Sequence, residues 1–242
     1  MYTRTRPLLG DEGLLHLQHA CVLLFGLGGV GGYALEALVR AGVGRMAVVD
    51  ADRITPSNLN RQILAEQGTI GRLKTEVAAE RAARIRPDLR IMAFACYADR
   101  CNMEEILDRA DPDYIIDAID SVDSKVALAV SAQQRRIPLI SCMGTGNKLY
   151  PGKFRIDDIG KTHTCPLART MRARLRAEGV RKLEVLWSPE VPHAAKQSTD
   201  TGRRVPASVS YVPGVAGLML AGHVICRIAG LPDGNADLCT EK

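Results

Sequence analysis

Asp50, Asp52, Asn58, Arg61 and Lys74 follow closely on a glycine-rich run. Side chains of these types could hold a nucleoside triphosphate and meet charge building on its α-phosphate. The run reads Ala20-Cys-Val-Leu-Leu-Phe-Gly-Leu-Gly-Gly-Val-Gly31. An apolar strand running into Gly26, Gly28, Gly29 and Gly31 lets the backbone turn tightly and approach a phosphate. The helix start beyond it offers free N–H groups and a positive dipole end to the same anion. Asp50 closes the next apolar run, about 20 residues on, where a carboxylate can accept from ribose hydroxyls. A dehydrogenase would share these features, and glycines alone also serve helix–strand packing. Neither reading needs Asp52, Ser57-Asn-Leu-Asn-Arg-Gln62 and Lys74 beside the same strand ends. The pattern therefore favours nucleotidyl transfer over hydride transfer.

Each polar residue has an expected task. Asn58 and Arg61 contact the triphosphate, Arg61 at the α-phosphorus, while Ser57 and Gln62 complete that loop. Lys74 opens a helix facing the phosphates. Asp120 ends an apolar strand on the same sheet edge and is the expected Mg²⁺ ligand, because a hard cation prefers carboxylate oxygen. Asp117 reads as structural, and Asp52 is open between turn and site. The five histidines form no pair with ligand spacing.

Alternating periodicities supply the elements that position these groups. Apolar runs at 20–25, 45–49, 89–95, 113–119 and 138–142 alternate with amphipathic stretches at 30–41, 73–86, 102–109 and 123–136. That rhythm predicts an α/β fold with a doubly wound, Rossmann-like, mainly parallel sheet. Residues 153–157 and 182–187 are expected to extend it as antiparallel strands in the C-terminal part. One adenylation domain is expected over 1–242, with a nucleotide-binding half near 20–144, a substrate half near 145–231 and a flexible tail over 232–242. The polar stretch 191–207 reads as a mobile crossover loop near the site.

Charge and cysteine content narrow the class. The formal net charge is +5. Arg169, Arg172, Arg174, Arg176, Arg181 and Lys182 cluster behind Pro166, which starts a helix; an RNA-binding face would use such a cluster for phosphates, and a solvated helix face would look the same. Seven cysteines without a CxxC pair indicate neither a disulfide framework nor a zinc site. Met1 to Gly10 is polar and arginine-rich, unlike a signal peptide. Val212 to Leu231 carries Pro213, His223 and Arg227, so a buried or dimer-interface helix is expected over a membrane span. Its small residues Gly214, Gly217, Ala221 and Gly222 would let another helix approach closely.

The run GLGGVG, Asp50-Ala-Asp52, SNLNRQ, Lys74 and Asp120 within Asp117-Ala-Ile-Asp-Ser121 resemble the superfamily of ubiquitin-activating enzymes and their bacterial relatives of molybdopterin and thiamine biosynthesis. Within it, Arg4-Thr-Arg-Pro-Leu-Leu-Gly10, Arg40-Ala-Gly-Val-Gly44, and Gly160-Lys-Thr162 with Pro166-Leu167 are most similar to the tRNA threonylcarbamoyladenosine dehydratases. The resemblance implies ATP and Mg²⁺, a tRNA substrate, a cytoplasmic enzyme, and a homodimer in which Arg4 reaches the neighbour's ATP. It leaves room for a monovalent cation and for a cysteine desulfurase or sulfur-acceptor partner. It also implies an acyl adenylate closed by the substrate's own ureido group, without an enzyme nucleophile. Some dehydratases carry a cysteine before the last helix, where this chain reads Arg204-Val-Pro-Ala-Ser-Val-Ser-Tyr211; Cys165 is the remaining candidate, and a structural role for it is favoured. Two alternatives stand beside this reading: an activator of a ubiquitin-like sulfur carrier, and a noncatalytic nucleotide-binding scaffold. Missing zinc cysteines weigh against the first, and intact Arg61, Lys74 and Asp120 against the second.

Overall fold

Alternate side chains of the first strand serve two cores. Val22 and Leu24 face one way and Leu23 and Phe25 the other, all fully buried, as a strand covered on both faces requires. The computed structural model describes residues 1–193 and 206–232. Its strands are β1 (Cys21–Phe25), β2 (Arg45–Val49), β3 (Arg90–Phe94), β4 (Tyr114–Asp117), β5 (Leu139–Cys142), β6 (Arg155–Asp158) and β7 (Glu184–Trp187). Its helices are α1 (Arg6–His19), α2 (Gly31–Ala41), α3 (Lys74–Ile85), α4 (Met103–Ala110), α5 (Val122–Arg135), α6 (Pro166–Ala177) and α7 (Val212–Ile228). Cys239, nearly all of the expected tail and most of the 191–207 loop lie outside the described residues.

The strands form one sheet in the order β3-β2-β1-β4-β5-β7-β6. Every pairing is parallel except that of β6 with β7. The two C-terminal strands thus extend the sheet as expected, with β7 beside β5 in parallel and the antiparallel step confined to the outer β6. Helices α1, α2, α3 and α7 contribute to the core on one face, and α4 and α5 cover the other. A third cluster, built from α5, α6 and β7, fixes α6 against α5.

Most of the small-residue stripe of α7 finds its partner within the chain. A Cβ on Gly217 would lie 2.1 Å from Val30 O, and one on Gly214 would lie 3.2 Å from the Tyr33 ring, so α7 rests directly on the start of α2. Gly222 has nothing within 4 Å of such a Cβ. Among the described residues no helix is long and apolar enough to cross a membrane. Gly217→Ala is expected to lower stability by about 1–3 kcal/mol through overpacking. By contrast Gly222→Ala, in open space, should raise it by up to about 1 kcal/mol through helix propensity. Urea unfolding midpoints of the two variants check this contrast.

Candidate active site

The glycine turn leaves β1 where the sheet order reverses, between β1 and β4. Phe25 is in register with both Val49 and Asp117. Gly26, Asp50 and the segment Ala118–Asp120 therefore leave the carboxyl edge side by side, at the kind of crevice where open α/β sheets bind ligands. Backbone presses on backbone here. A Cβ on Gly26, at φ +85°, would lie 2.6 Å from Ala118 O, and one on Gly31 only 1.8 Å from Gly26 O. Gly28 is different, since a Cβ there would meet only Gln62 Nε2, at 3.9 Å. Gly32 N–H closes on Gly28 O at 3.0 Å, whereas the N–H groups of Gly28 and Gly29 bond to no described residue.

The loop 57–62 is seated on this turn. A Cβ on Gly29 would lie 3.3 Å from Arg61 Cγ and 3.1 Å from Pro213 of α7. Asn58 is buried, and its Oδ1 accepts from Thr55 N at 3.1 Å, so that oxygen folds the loop. Ser57 Oγ meets Thr55 Oγ1 at 2.9 Å. Arg61 Nη1 donates to Ser57 O at 2.9 Å and to Asn60 Oδ1 at 2.8 Å, which leaves Nε and Nη2 without a partner among the described residues. Gln62 Oε1 is buried with no partner, an arrangement that costs about 1–3 kcal/mol until a donor arrives. An orphan acceptor beside unbonded backbone N–H groups suits a nucleotide, which brings hydroxyl donors and phosphate acceptors together.

Asp50 and Lys74 form the second wall. Asp50 Oδ2 accepts from Leu27 N at 2.6 Å and Oδ1 from Asp52 N at 2.8 Å, tying the end of β2 to the glycine turn. Lys74, 5% exposed, reaches Asp52 Oδ2 at 2.6 Å and Asp50 Oδ1 at 3.6 Å. Asp52 is thereby an ion-pair partner of Lys74, beside Asp50. Asp120 is exposed and makes no hydrogen bond or ion pair among the described residues. Its neighbour Asp117 is structural, buried against Lys125 at 2.9 Å. Asp120 lies in the loop three residues beyond β4 and not on the strand itself as expected; one free carboxylate there fits Mg²⁺, which commonly takes one or two protein carboxylates and completes its shell with phosphates and water.

Sequence reasoning missed Tyr97, Lys125 and Ser208. The exposed Tyr97 donates from its hydroxyl to Ser121 Oγ at 2.7 Å, beside Asp120. Ser208 O accepts from Asn60 Nδ2 at 3.1 Å, which ties the chain entering α7 to the polar loop. No periodicity or spacing marks any of them. Asn147 joins the described ends of the 191–207 segment: its O accepts from His193 N at 2.8 Å and its Oδ1 from Ala207 N at 2.7 Å. Next to it, buried Lys148 donates to Glu190 O at 2.7 Å, and burial pushes its pKa down. Burial would raise the pKa of Glu190, but backbone N–H groups of Leu149 and Tyr150, with His193, hold it below the usual carboxylate range.

The basic cluster divides. Arg174 pairs with Asp123 at 2.7 Å, bringing α6 beside the Asp120 loop. Arg172 is committed to Thr162, donating to its carbonyl at 2.9 Å and to its hydroxyl, so it is a structural group and not the open phosphate contact expected of it. Arg169, Arg176, Arg181 and Lys182 are exposed. Arg4 is exposed too, but the structure does not bring it to the site of its own chain. Tyr2 packs on Gly42, at the far end of α2, and holds the N-terminal segment at the opposite sheet edge. Among the described residues no thiol stands at the nucleotide turn. Cys165 is buried, and burial pushes Cys142 up to about 12.

Comparisons with known proteins find relatives that match over nearly the whole chain. A tRNA threonylcarbamoyladenosine dehydratase of Bacillus subtilis (strain 168) is 38% identical over 236 residues, which is 93% of this chain and 92% of that protein. The crystal structure of the E. coli tRNA N6-threonylcarbamoyladenosine dehydratase in complex with AMP superimposes with a TM-score of 0.86 at 29% identity, covering 93% of this chain and 92% of the other. The same enzyme in complex with ATP gives a TM-score of 0.85 at 29% identity, with the same coverage. The ThiF family matches residues 2–239. With its glycine turn, Arg61 loop and Lys74 at one sheet edge, the chain belongs to the ThiF family.

Proposed function

We propose that this chain is an ATP-dependent tRNA threonylcarbamoyladenosine dehydratase, acting in the cytoplasm on the modified adenosine just 3′ of the anticodon. The observation that carries the chemistry is the seating of Arg61 on the glycine turn, at the sheet edge that also carries Lys74 and Asp120. The tRNA substrate rests on relatives that match over nearly the whole of both chains.

A free carboxylate is anionic and lacks a leaving group, so it must be activated before it can be attacked. The threonyl carboxylate attacks the α-phosphorus of ATP and pyrophosphate leaves. The ureido group then closes on the acyl carbon and AMP leaves, so that one water is lost overall. Ring closure is intramolecular, where effective molarities of about 10⁵–10⁸ M are available. Open N–H groups of Gly28 and Gly29 hold phosphate oxygens. Asp50, already fixed by Leu27 and Asp52, accepts from the ribose. The free face of Arg61 and the ammonium of Lys74 meet charge at the α-phosphate as the bond to pyrophosphate breaks. Asp120 would hold Mg²⁺, which when bound neutralises charge on the departing pyrophosphate.

Arg4 completes the site from a second copy, since its own chain places it at the far sheet edge. The exposed cations behind Pro166 bind tRNA phosphates, and the Arg174–Asp123 pair sets that face beside Asp120.

Three outcomes test this reading. Arg61→Ala and Asp120→Ala should each cut AMP release from ATP and modified tRNA by more than about 10²-fold, with unchanged melting. Full activity in either removes it from the site. Arg4→Ala should lose turnover and regain part of it when assembled with an Arg61→Ala chain, because the mixed dimer contains one complete site; verified heterodimers without activity would refute an arginine acting in trans. Alanine at Arg169, Arg176 and Arg181 should weaken tRNA binding and flatten its salt dependence by roughly one unit of slope per lost phosphate contact, while Arg172→Ala should lower stability instead.

A further inference from the structure

Lys125 is fully buried, one turn into α5, and lies beneath the floor of the site. Its Nζ donates to Asp117 Oδ2 at 2.9 Å, Ser141 Oγ at 3.0 Å and Cys142 O at 2.8 Å. Those three bonds use all of the ammonium's protons. Ser141 Oγ in turn donates to Asp117 Oδ2 at 2.5 Å, and Asp117 Oδ1 accepts from Ile119 N at 3.0 Å. A single cation thus clamps α5 to the carboxyl ends of β4 and β5. The clamp lies three residues before Asp120 in the segment that follows β4 and two residues before Gly144 in the segment that follows β5.

Stability alone gives little reason for such a pair. Replacing a buried ion pair by apolar groups of similar volume is often neutral or stabilising, although removing one partner is strongly destabilising. What apolar groups cannot supply is direction. Asp117 Oδ1 holds the N–H of Ile119, one residue before Asp120, while its other oxygen is fixed by Lys125 and Ser141. The backbone between Asp117 and Asp120 is further squeezed by Gly26, whose absent Cβ would lie 2.6 Å from Ala118 O. We infer that Lys125, Asp117 and Ser141 form a positioning unit that aims the Asp120 carboxylate at the nucleotide phosphates. None of the three touches substrate, and the inference rests on the role given to Asp120 above.

The test compares the wild type with the variant Asp117→Leu/Lys125→Met/Ser141→Ala, and with Ser141→Ala alone. The triple variant is expected to melt as the wild type does and to bind AMP unchanged, because the glycine turn and Asp50 are intact. Its ATP affinity, measured by calorimetry without tRNA, should no longer respond to Mg²⁺, and kcat for pyrophosphate release should fall about 10²-fold. Ser141→Ala, which strands no buried charge, should lower kcat about tenfold at constant KM. Equal Mg²⁺ enhancement of ATP binding in wild type and triple variant, or in neither, would overturn the inference. So would an unaltered kcat in Ser141→Ala, including the case in which the triple variant does not fold. Failure of the dehydratase reading looks different: the wild type itself would release no AMP with modified tRNA, while the Mg²⁺ response of ATP binding would still distinguish the two proteins.

Discussion

The rest of the site depends on the absence of room between the end of β1 and the end of β4. Gly26 and Gly31 meet backbone atoms at distances that exclude any side chain. Because β1 lies between β2 and β4, this one contact sets the separation of the nucleotide turn from Asp50 on one side and Asp120 on the other. The polar loop is then laid on Gly28 and Gly29, and α7 on the start of α2. The geometry of the candidate site is a consequence of backbone packing, which tolerates little adjustment.

Charge is distributed according to depth. Below the sheet edge, Lys125 and Asp117 are buried and saturated, and they hold backbone in place. At the mouth, Lys74 sits between two carboxylates, and Arg61 is tied down on one side only. On the surface, Arg174 meets Asp123 while Arg169 and Arg176 stay exposed. A gradient of this kind puts enclosed, fixed groups beneath the sheet edge and solvated ones on the surface.

The element pattern was almost fully legible, because a parallel sheet covered on both faces needs continuous apolar strands and each crossover helix shows its own period. The glycine turn, Asp50, Arg61 and Lys74 were legible for a related reason: they lie at strand ends or on the loops that follow. What lies across the sheet was not. Lys125 sits in an ordinary amphipathic helix, and only the approach of β4 and β5 shows that its ammonium is enclosed. Arg172 and Arg169 are equivalent in sequence, yet one is spent on Thr162 and the other faces solvent. The place of β7 beside β5, with β6 outside it, depends on sheet order, which local periodicity does not encode. Arg4 was recognisable by resemblance alone, and its own chain holds it away from the site.

The central claim is that this site activates a carboxylate carried by tRNA and lets that same group close on itself. The most direct measurement is the mass of the modified nucleoside after purified protein, ATP, Mg²⁺ and tRNA bearing threonylcarbamoyladenosine have been incubated and the tRNA gently digested. The account predicts an ATP-dependent loss of one water from that nucleoside alone. An unchanged mass, with ATP–pyrophosphate exchange appearing only when a diglycine-ended carrier protein is supplied, would contradict it and assign the site to a sulfur-carrier activator.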